Sequence, residues 1–447
     1  MSLTTPPHHQ WPLIKRLFEL WNGDPSFRNG VEQDFGSLTK TYPLCPESLA
    51  LAKKLWQDNS FTTQHYSRKA FPQFHEFLQH QQELMALRSR IRENCTPLPS
   101  RFKKWRQCQI NRCDWQLGPA KNDTIIHMPL CFELSKGCSV GCRFCALSAQ
   151  KLSSVFAYTS ENSKLWKEML QACRDIFGKS SSYASLYWAT EPFDNPDYER
   201  FCLDFHSILD VFPQTTTALA LADTDRTRNF FQLSEKNGCE LNRISVHTVD
   251  DLLAIYSHFT GEELARVGLV LQNPGSLQMK VGAGRLLNSK EEAVEKTTIS
   301  CATGFLVNMV EKSVRLISPW PADTDHPAGY KTYDQGLFTG ADDFASLVQQ
   351  MISTTMQYSF SSQDQVQFTP GILSLTRENE TFLSSAYQEI ALSQLSNLPR
   401  LHELIGTHNA GEIALHYLET EGMEPTLTFM ALNSLLCSGI LQTGIQQ

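Results

Sequence analysis

Residues 131–145 read CFELSKGCSVGCRFC and carry three cysteines, Cys138, Cys142 and Cys145, in the spacing C-x3-C-x2-C. The motif overlaps an apolar run, MPLCFEL at 128–134, that is typical of a buried strand. Three thiolates on one short loop can each bind one iron of a cubane, because soft sulfur ligands suit iron–sulfur clusters. The fourth iron then stays open, as in other reactive metal sites. The loop therefore predicts a reactive 4Fe-4S centre at the end of a strand.

The alternative for this loop is a structural zinc site, which would need a fourth ligand. Cys131, Cys108 or Cys113 could supply that ligand. Zinc ribbons usually place two cysteines at each end of the site, whereas this triad is unpaired and follows a strand. The spacing therefore favours an iron–sulfur cluster over zinc.

Residues 125–345 alternate short apolar runs with amphipathic stretches of helical length. Strands that alternate with helices indicate a parallel sheet with crossover connections, here a partial barrel. The predicted strands lie at 128–134, 183–189, 215–222, 243–249, 266–272 and 313–320. The fold class predicted from this pattern is α/β.

The two flanks differ from the central segment. Residues 1–124 show helical periodicity and predict an all-helical domain. Residues 365–447 predict a hairpin in QVQFTPGILSLTR and then three short helices, which together suggest a small winged-helix-like module. The helix caps expected there are Asn409 and Thr426, and the helix stops are Gly406, Gly422 and Gly439.

Composition excludes several classes of function. The chain has 447 residues, 41% hydrophobic and 19% charged, and a formal net charge of −8, which does not favour nucleic-acid binding. No apolar run is long enough to span a bilayer, and the first residues lack the apolar core of a signal peptide, so we expect a cytoplasmic protein without membrane contact. Thirteen cysteines, an odd number, predict reduced thiols of which a few carry chemistry.

The cysteine triad is identified as the signature of the radical S-adenosylmethionine (AdoMet) superfamily, whose members use a partial (β/α)6 barrel. The phrases FELSKGCSVGCRFC, LYWATEPFDNPDY and RISVHTVDDL resemble one branch of it. That branch is the proteusin-type epimerases, which change the configuration of residues in ribosomally made peptides. The resemblance extends over residues 125–335.

The resemblance implies roles for several residues at the carboxyl ends of the predicted strands. Cys138, Cys142 and Cys145 resemble the cluster ligands. Ala189, Thr190 and Glu191 stand where the superfamily often has Gly-Gly-Glu, which holds the methionine amino group of AdoMet, although this chain lacks both glycines. Further cofactor contacts are expected from Phe144, Ser245, His247 and Gln272, with Asn273 beside the last of them.

The activity implied is conversion of L-residues to D-residues in a precursor peptide. The AdoMet-derived deoxyadenosyl radical would remove a Cα hydrogen, and a cysteine thiol would return a hydrogen from the other face. The cysteines considered for this role are Cys131, Cys173, Cys202, Cys239, Cys301 and Cys437. Packing or position argues against the others, so the predicted donor is Cys301, which lies among small residues after the fifth predicted strand.

Two other functions stay open. Related enzymes form thioether or carbon–carbon crosslinks, but many of them carry a cysteine-rich tail, and only Cys437 follows Cys301 here. A peptide-binding protein with a structural metal site would cleave no AdoMet. The expected partners are a precursor peptide, whose leader would add a strand to the C-terminal module, and an electron donor such as flavodoxin or ferredoxin.

Overall fold

The computed structural model describes residues 11–42, 44, 46–63, 72–239, 241–288, 297–378 and 380–444. The regular elements in the described residues before β1 are all helices, as the periodicity of this region predicts. These helices are α1 (Trp11–Gly23), α2 (Pro25–Gln33), α3 (Phe35–Thr41), α4 (Pro46–Gln57), α5 (Ser60–Thr63), α6 (Pro72–Asn94), α7 (Ser100–Leu117) and α8 (Pro119–Asn122).

Strands and helices then alternate through the middle of the chain. The strands are β1 (Met128–Glu133), β2 (Ser135–Lys136), β3 (Ser154–Val155), β4 (Thr216–Thr217), β5 (Asn242–Val246), β6 (Val267–Leu271), β7 (Ala302–Asn308), β8 (Ser313–Pro319), β9 (Tyr330–Leu337), β10 (Val366–Phe368), β11 (Leu373–Arg377), β12 (Glu380–Ser384), β13 (Glu389–Ala391) and β14 (Leu441–Thr443).

The remaining helices follow these strands along the chain. They are α9 (Ser160–Phe177), α10 (Tyr198–Leu209), α11 (Thr224–Lys236), α12 (Val249–His258), α13 (Ala341–Thr354), α14 (Leu392–Leu395), α15 (Ala410–Glu421) and α16 (Pro425–Cys437). Short 3-10 turns occur at Gly178–Tyr183, Pro192–Asp194, Gly284–Leu286 and Leu401–Glu403. None of the helices described is long and apolar enough to cross a bilayer.

Two sheets form the central part of the fold. Strands β4, β5 and β6 pair in parallel, and β1 pairs in parallel with β7. A single parallel bridge between Cys131 and Ser185 joins β1 to the segment that leads toward β4. Parallel neighbours need long crossover connections, and α9 to α12 supply them between β1 and β6. The arrangement brings the carboxyl ends of these strands to one side of the sheets.

The predicted strands are reproduced in part. Segments 128–134, 243–249 and 266–272 form β1, β5 and β6, whereas 183–189 makes only the bridge at Ser185 and 215–222 only the two-residue β4. Segment 313–320 forms β8, but β8 is antiparallel to β7 and not a further parallel strand. Four residues separate β7 from β8, which suffices for an antiparallel hairpin and is too short for a crossover.

Strand β7 is absent from the sequence-based prediction. All seven of its residues are buried, so it lacks the apolar–polar alternation that marks a strand with one exposed face. Gly304 lies in β7 where β1 approaches closely, and a Cβ there would overlap the carbonyl oxygen of Pro129. β7 therefore inserts tightly beside β1 and extends the first sheet to the order β1-β7-β8-β9.

The side chains of successive β1 residues point to opposite faces of the strand and pack in two different hydrophobic cores. Leu130 and Phe132 pack with the outer helices, where the Phe132 and Trp166 rings lie 4.9 Å apart. Cys131, on the other face, joins a smaller core with Trp188 and Ile317. Burying a side chain as large as Phe132 contributes about 2–3 kcal/mol, so β1 is anchored firmly just before the cysteine loop.

The N-terminal helices share a core with the second sheet. Apolar side chains recur on one face of α1, where Ile14 and Leu17 are fully buried, and this face packs into the same core as Ile244 of β5 and Val267 of β6. Helix α7 packs instead beside β7 and α16. The helices predicted as a separate domain are thus part of the support of the central sheets.

The described C-terminal residues contain two small sheets, β10-β14 and β11-β12-β13, and the helices α14, α15 and α16. The predicted hairpin over 365–377 is wrong, because β10 pairs with β14, whereas β11 pairs with β12. Asn409 caps α15 with a capping box and Gly422 ends it in the left-handed conformation, which confirms both predictions. Thr426 is not a cap, since Pro425 already occupies the first turn of α16 after Glu424. Of the first predicted helix only the turn Leu401–Glu403 forms.

Candidate functional site

The cysteine loop leaves the carboxyl end of β1 and is closed at its base. Strand β2 pairs with β3, and the Cys138 N–H donates to the carbonyl of Gln150 at 2.9 Å while Leu152 N–H donates to the carbonyl of Cys138. Gly137 has a φ of +86°, and a Cβ there would overlap the carbonyl of Lys151. A glycine is therefore required where the loop turns back on itself. The closed base fixes the direction in which the loop projects.

The three thiols of the loop are half-buried, and N–H groups of the chain lie near their sulfurs. Cys138 Sγ accepts hydrogen bonds from the N–H groups of Val140 and Gly141, and Cys145 Sγ accepts one from Ala149 N–H at 3.3 Å. Burial raises the pKa of Cys138. Burial and the nearby thiols of Cys138 and Cys145 raise the pKa of Cys142 to about 11. Burial is the main cause of both shifts, and the neighbouring thiols add to it at Cys142.

An arginine braces the loop from a distant part of the chain. The Arg285 guanidinium donates to the carbonyls of Cys142 and Ala149, and the Arg285 N–H donates to the carbonyl of Cys145 at 3.0 Å. A Cβ on the neighbouring Gly284 would overlap the carbonyl of Cys145. The sequence analysis missed both residues. The only sequence signal was the pair of glycines before an arginine in VGAGR at 281–285.

Two predicted cofactor-contact residues meet the loop. His247 follows β5, and its Nε2 lies 3.6 Å from Cys142 Sγ. The His247 ring makes a T-shaped contact with the ring of Phe144, with centroids 5.1 Å apart. Burial lowers the pKa of His247, so the imidazole is neutral near pH 7. Ser245 lies two residues earlier in β5, on the same face as His247. The structure thus brings β5 to the cysteine loop, as predicted.

The carboxylate of Glu191 is already hydrogen-bonded to other residues of the protein. It accepts hydrogen bonds from Thr217 Oγ1 at 2.5 Å, Ala218 N–H at 2.9 Å and Phe193 N–H at 3.2 Å. Burial raises the pKa of Glu191 to about 7. These contacts tie the turn after Thr190 to β4. The proposed contact of Thr190 and Glu191 with AdoMet stays a prediction.

Gln272 lies at the same edge of the second sheet as His247. Its backbone N–H donates to the carbonyl of Val246 at 2.8 Å, directly beside the end of β5. The adjoining Asn273 is buried, and its Nδ2 donates to the carbonyl of Gly23 at 2.6 Å at the end of α1. Asn273 thus links the second sheet to the N-terminal helices, while Gln272 is the residue at the strand end that stays half-buried.

Cys301, the predicted hydrogen donor, does not lie beside the cysteine loop. It immediately precedes β7, and its carbonyl accepts a hydrogen bond from Met128 N–H at the amino end of β1. The cysteine loop follows the other end of β1, about 17 Å away along the strand at about 3.3 Å per residue. The prediction placed Cys301 after the fifth strand because β7 had not been recognised. Cys131 lies between the two ends, fully buried in the small core that Leu147 of the loop contacts.

A cavity of about 940 Å³ opens beside the loop. Gly137 and residues 148–150 of the loop form one wall, and strands β8 and β9 form another, with Arg315 and Tyr330 in the lining. Glu133 is a buried carboxylate in this lining that the sequence analysis missed. It accepts hydrogen bonds from Ala189 N–H at 2.9 Å and Asn308 Nδ2 at 3.0 Å, and burial raises its pKa. The volume suits a cofactor or a short peptide segment.

The chemistry of the donor set fits a cluster. Among the residues that the structure describes, no three His, Cys, Asp or Glu side chains converge in an arrangement that could hold a single metal ion. A cubane does not require such convergence, because each cysteine binds a different iron. Cys108 and Cys113, considered above as zinc ligands, contact Cys437 Sγ and the carbonyl of Pro319 instead. The half-buried thiols, the N–H groups near them and the adjoining cavity are consistent with a cluster of which one side stays open.

Comparison with known proteins gives one close relative. No family model matches the chain. The uncharacterized protein y4wI of Sinorhizobium fredii is 30% identical over 450 residues, which cover 97% of this chain and 87% of that protein. The chain belongs to the y4wI family. The solved structure of BtrN in complex with AdoMet and 2-DOIA is 12% identical and aligns with a TM-score of 0.32 over 51% of this chain and 82% of BtrN.

Proposed function

We propose that this protein is a radical AdoMet enzyme that epimerises residues of a ribosomally made peptide. The observation that carries the proposal is the loop of Cys138, Cys142 and Cys145, which is closed at its base, has N–H groups near sulfur and contributes Gly137 and residues 147–150 to the wall of a large cavity. A 4Fe-4S cluster held by the three thiolates would supply the electron that cleaves AdoMet into methionine and a deoxyadenosyl radical.

The residues around the loop have distinct tasks in this proposal. Arg285 and Gly284 hold the carbonyls of Cys142 and Cys145 in place, so that the thiols keep their spacing. Phe144 and His247 cover one side of the loop and exclude water from it. Ser245 and Gln272, at the ends of β5 and β6, are the polar groups nearest to where a nucleoside would lie on the sheet edge. Preorganised contacts of this kind aim a reactive species at one hydrogen of the substrate.

Epimerisation is favoured over crosslinking by the distribution of cysteines. After Cys301 the chain contains only Cys437, which lies on α16 in contact with Cys108, so an additional cluster in the tail has no ligands. Epimerisation is redox-neutral for the peptide; it needs a hydrogen donor, and the thiyl radical left on that donor takes up one electron from the electron donor and one proton to become a thiol again. The motif phrases of the sequence resemble those of the peptide epimerases and point to the same reaction.

The donor thiol is better placed at Cys131 than at Cys301. Leu147, Ala189 and Tyr330 line the cavity and also pack against the small core that contains Cys131. One layer of side chains thus separates Cys131 from the cavity and would have to move for the thiol to reach a substrate radical, whereas Cys301 lies at the far end of the strands.

The Cys131→Ala and Cys301→Ala variants distinguish the two donors. In heavy water, with the precursor peptide encoded beside the gene, the enzyme is expected to add one deuterium for each D-residue formed, because a thiol exchanges its hydrogen with solvent. Cys131→Ala is expected to cleave AdoMet but to form no D-residues, and Cys301→Ala to retain both activities. Mass spectrometry and chiral amino-acid analysis measure these products. Loss in Cys301→Ala alone would restore the sequence-based assignment, and retention in both variants would exclude a donor in the barrel interior.

The C-terminal residues are the proposed site of leader-peptide binding. Strand β11 lies at an edge of the sheet β11-β12-β13 and exposes Leu373 by 64% and Leu375 by 37%, on one face of the strand. A leader segment could pair with this edge through main-chain hydrogen bonds and bury both leucines. An electron donor such as flavodoxin or ferredoxin is the expected second partner.

The double variant Leu373→Asp, Leu375→Asp tests this surface. Each leucine that becomes buried contributes up to about 1.5–3 kcal/mol, so we expect leader binding to weaken at least about tenfold, as measured by fluorescence anisotropy. The control is Leu415→Asp, an exposed leucine on α15. Equal weakening in the control, or none in the double variant, would exclude the β11 edge.

A further inference from the structure

Two cysteines far apart in sequence lie in contact behind the central sheets. The Sγ atoms of Cys108 on α7 and Cys437, the last residue of α16, are 2.9 Å apart, although 329 positions separate the two residues. A disulfide bond is about 2.05 Å long, so a shift of about 0.9 Å would bring the sulfurs to bonding distance. Neither thiol lies near the cysteine loop, and neither has a role in the proposed reaction.

The surrounding contacts hold α7 and α16 together independently of the sulfurs. Asn111 Nδ2 donates to the carbonyl of Cys437 at 2.7 Å, and Trp115 Nε1 donates to the carbonyl of Ser438 at 3.2 Å. Gly439 has a φ of +79°, and a Cβ there would overlap the backbone of Arg112. The two thiols therefore face each other at a fixed interface rather than meeting by chance on mobile surface segments.

The two thiols differ in exposure and acidity. Cys108 is buried, whereas Cys437 is half-buried and reachable from solvent. The hydrogen bond from Cys108 and the positive charge of Lys104 lower the pKa of Cys437 to about 7, although burial opposes this. Cys437 is therefore the better nucleophile near neutral pH, and Cys108 is positioned to react second.

We propose that Cys108 and Cys437 form a reversible disulfide that links the C-terminal residues covalently to α7. The Cys437 thiolate attacks a low-molecular-weight disulfide such as oxidised glutathione, forms a mixed disulfide and releases one glutathione thiolate. Cys108, losing its proton, then attacks Cys437 Sγ and releases the second glutathione. Two protein thiols are oxidised and one glutathione disulfide is reduced to two thiols, so atoms and electrons balance. The bond fixes the edge of the proposed peptide-binding sheet relative to the barrel.

The full-length protein is incubated without oxygen in graded ratios of reduced and oxidised glutathione, alkylated, and digested with trypsin. Trypsin places Cys108 in residues 107–112, Cys113 in a separate peptide and Cys437 in residues 401–447. We expect a crosslinked pair of peptides 107–112 and 401–447 to accumulate in oxidised glutathione and to disappear with dithiothreitol. The bond closes a very long loop, so the Tm of the oxidised protein should rise by about 5 °C.

The variants Cys108→Ser and Cys437→Ser are expected to lose both the crosslink and the Tm shift, and Cys239→Ser, another half-buried cysteine, to keep both. Full alkylation of Cys108 and Cys437 at every ratio would overturn the proposal. So would an equal yield of crosslink in urea-unfolded protein, which would show that the fold does not direct the pairing. The readout requires no cluster and no substrate, so its outcome is separate from that of the proposed function.

Discussion

Replacing any one of Cys138, Cys142 or Cys145 by alanine is expected to abolish both cluster binding and AdoMet cleavage. Each thiolate holds one iron, and a cubane with two protein ligands loses the spacing that the closed loop provides. The reconstituted single variants should contain little iron and lack the broad visible absorption of a thiolate-bound iron–sulfur cluster. Deoxyadenosine should stay at background.

The control for this prediction is Cys239→Ala, which removes a half-buried cysteine outside the loop. It should bind iron and cleave AdoMet like the unaltered protein. Iron content that is unchanged in all three loop variants would contradict the assignment of the ligands. Zinc that copurifies at one equivalent and is lost in the same variants would instead support a structural metal site.

The second large effect, a loss of iron affinity, is expected when Gly284 or Arg285 is replaced. Gly284→Val would place side-chain atoms against the carbonyl of Cys145 and requires a φ of +57° that a β-branched residue resists. Arg285→Ala removes the hydrogen bonds to the carbonyls of Cys142 and Ala149. Supporting contacts of this kind change metal affinity by about 10–100-fold, so both variants should lose iron far more readily to a chelator.

The variant Arg285→Lys separates the effect of charge from that of geometry, because lysine keeps the positive charge but cannot donate to two carbonyls with one planar group. We expect it to lose iron nearly as fast as Arg285→Ala. A matched control is Arg228→Ala, whose guanidinium pairs with Glu263 away from the loop. If Arg285→Ala retained iron as well as the control does, the brace would have no role in the centre.

The sequence predicted the strand before the cysteine loop and the strand whose end lies beside it, and the reactivity of the loop stays a prediction. The C-x3-C-x2-C spacing located three half-buried thiols on one loop, and His247, which was predicted from its place after a strand as a cofactor contact, lies against Phe144 of that loop. Both predictions depend on local patterns: a strand end, a tight loop and the common polarity of parallel strands. The structure reproduces these local features because hydrogen bonding between backbone groups of neighbouring strands determines them.

Other parts of the site depended on contacts that no local pattern reveals. The hydrogen bond from Arg285 to the carbonyl of Cys142 joins residues 143 positions apart. Its acceptor is a backbone carbonyl, which every residue has, so the sequence carries no signal for this acceptor. Glu133 was read as part of a strand, because only the fold shows that its carboxylate lies in the wall of a cavity. Cys301 was misplaced for a related reason: β7 is buried on both faces and lacks alternation, so the end of the strand on which Cys301 lies could not be assigned.

The most direct measurement is deoxyadenosine formation by the anaerobically reconstituted protein with AdoMet and dithionite, analysed by liquid chromatography and mass spectrometry. The proposal predicts deoxyadenosine and methionine in equal amounts, dependent on reductant and increased by the precursor peptide. A protein with full iron occupancy and bound peptide that forms no deoxyadenosine would contradict the central claim.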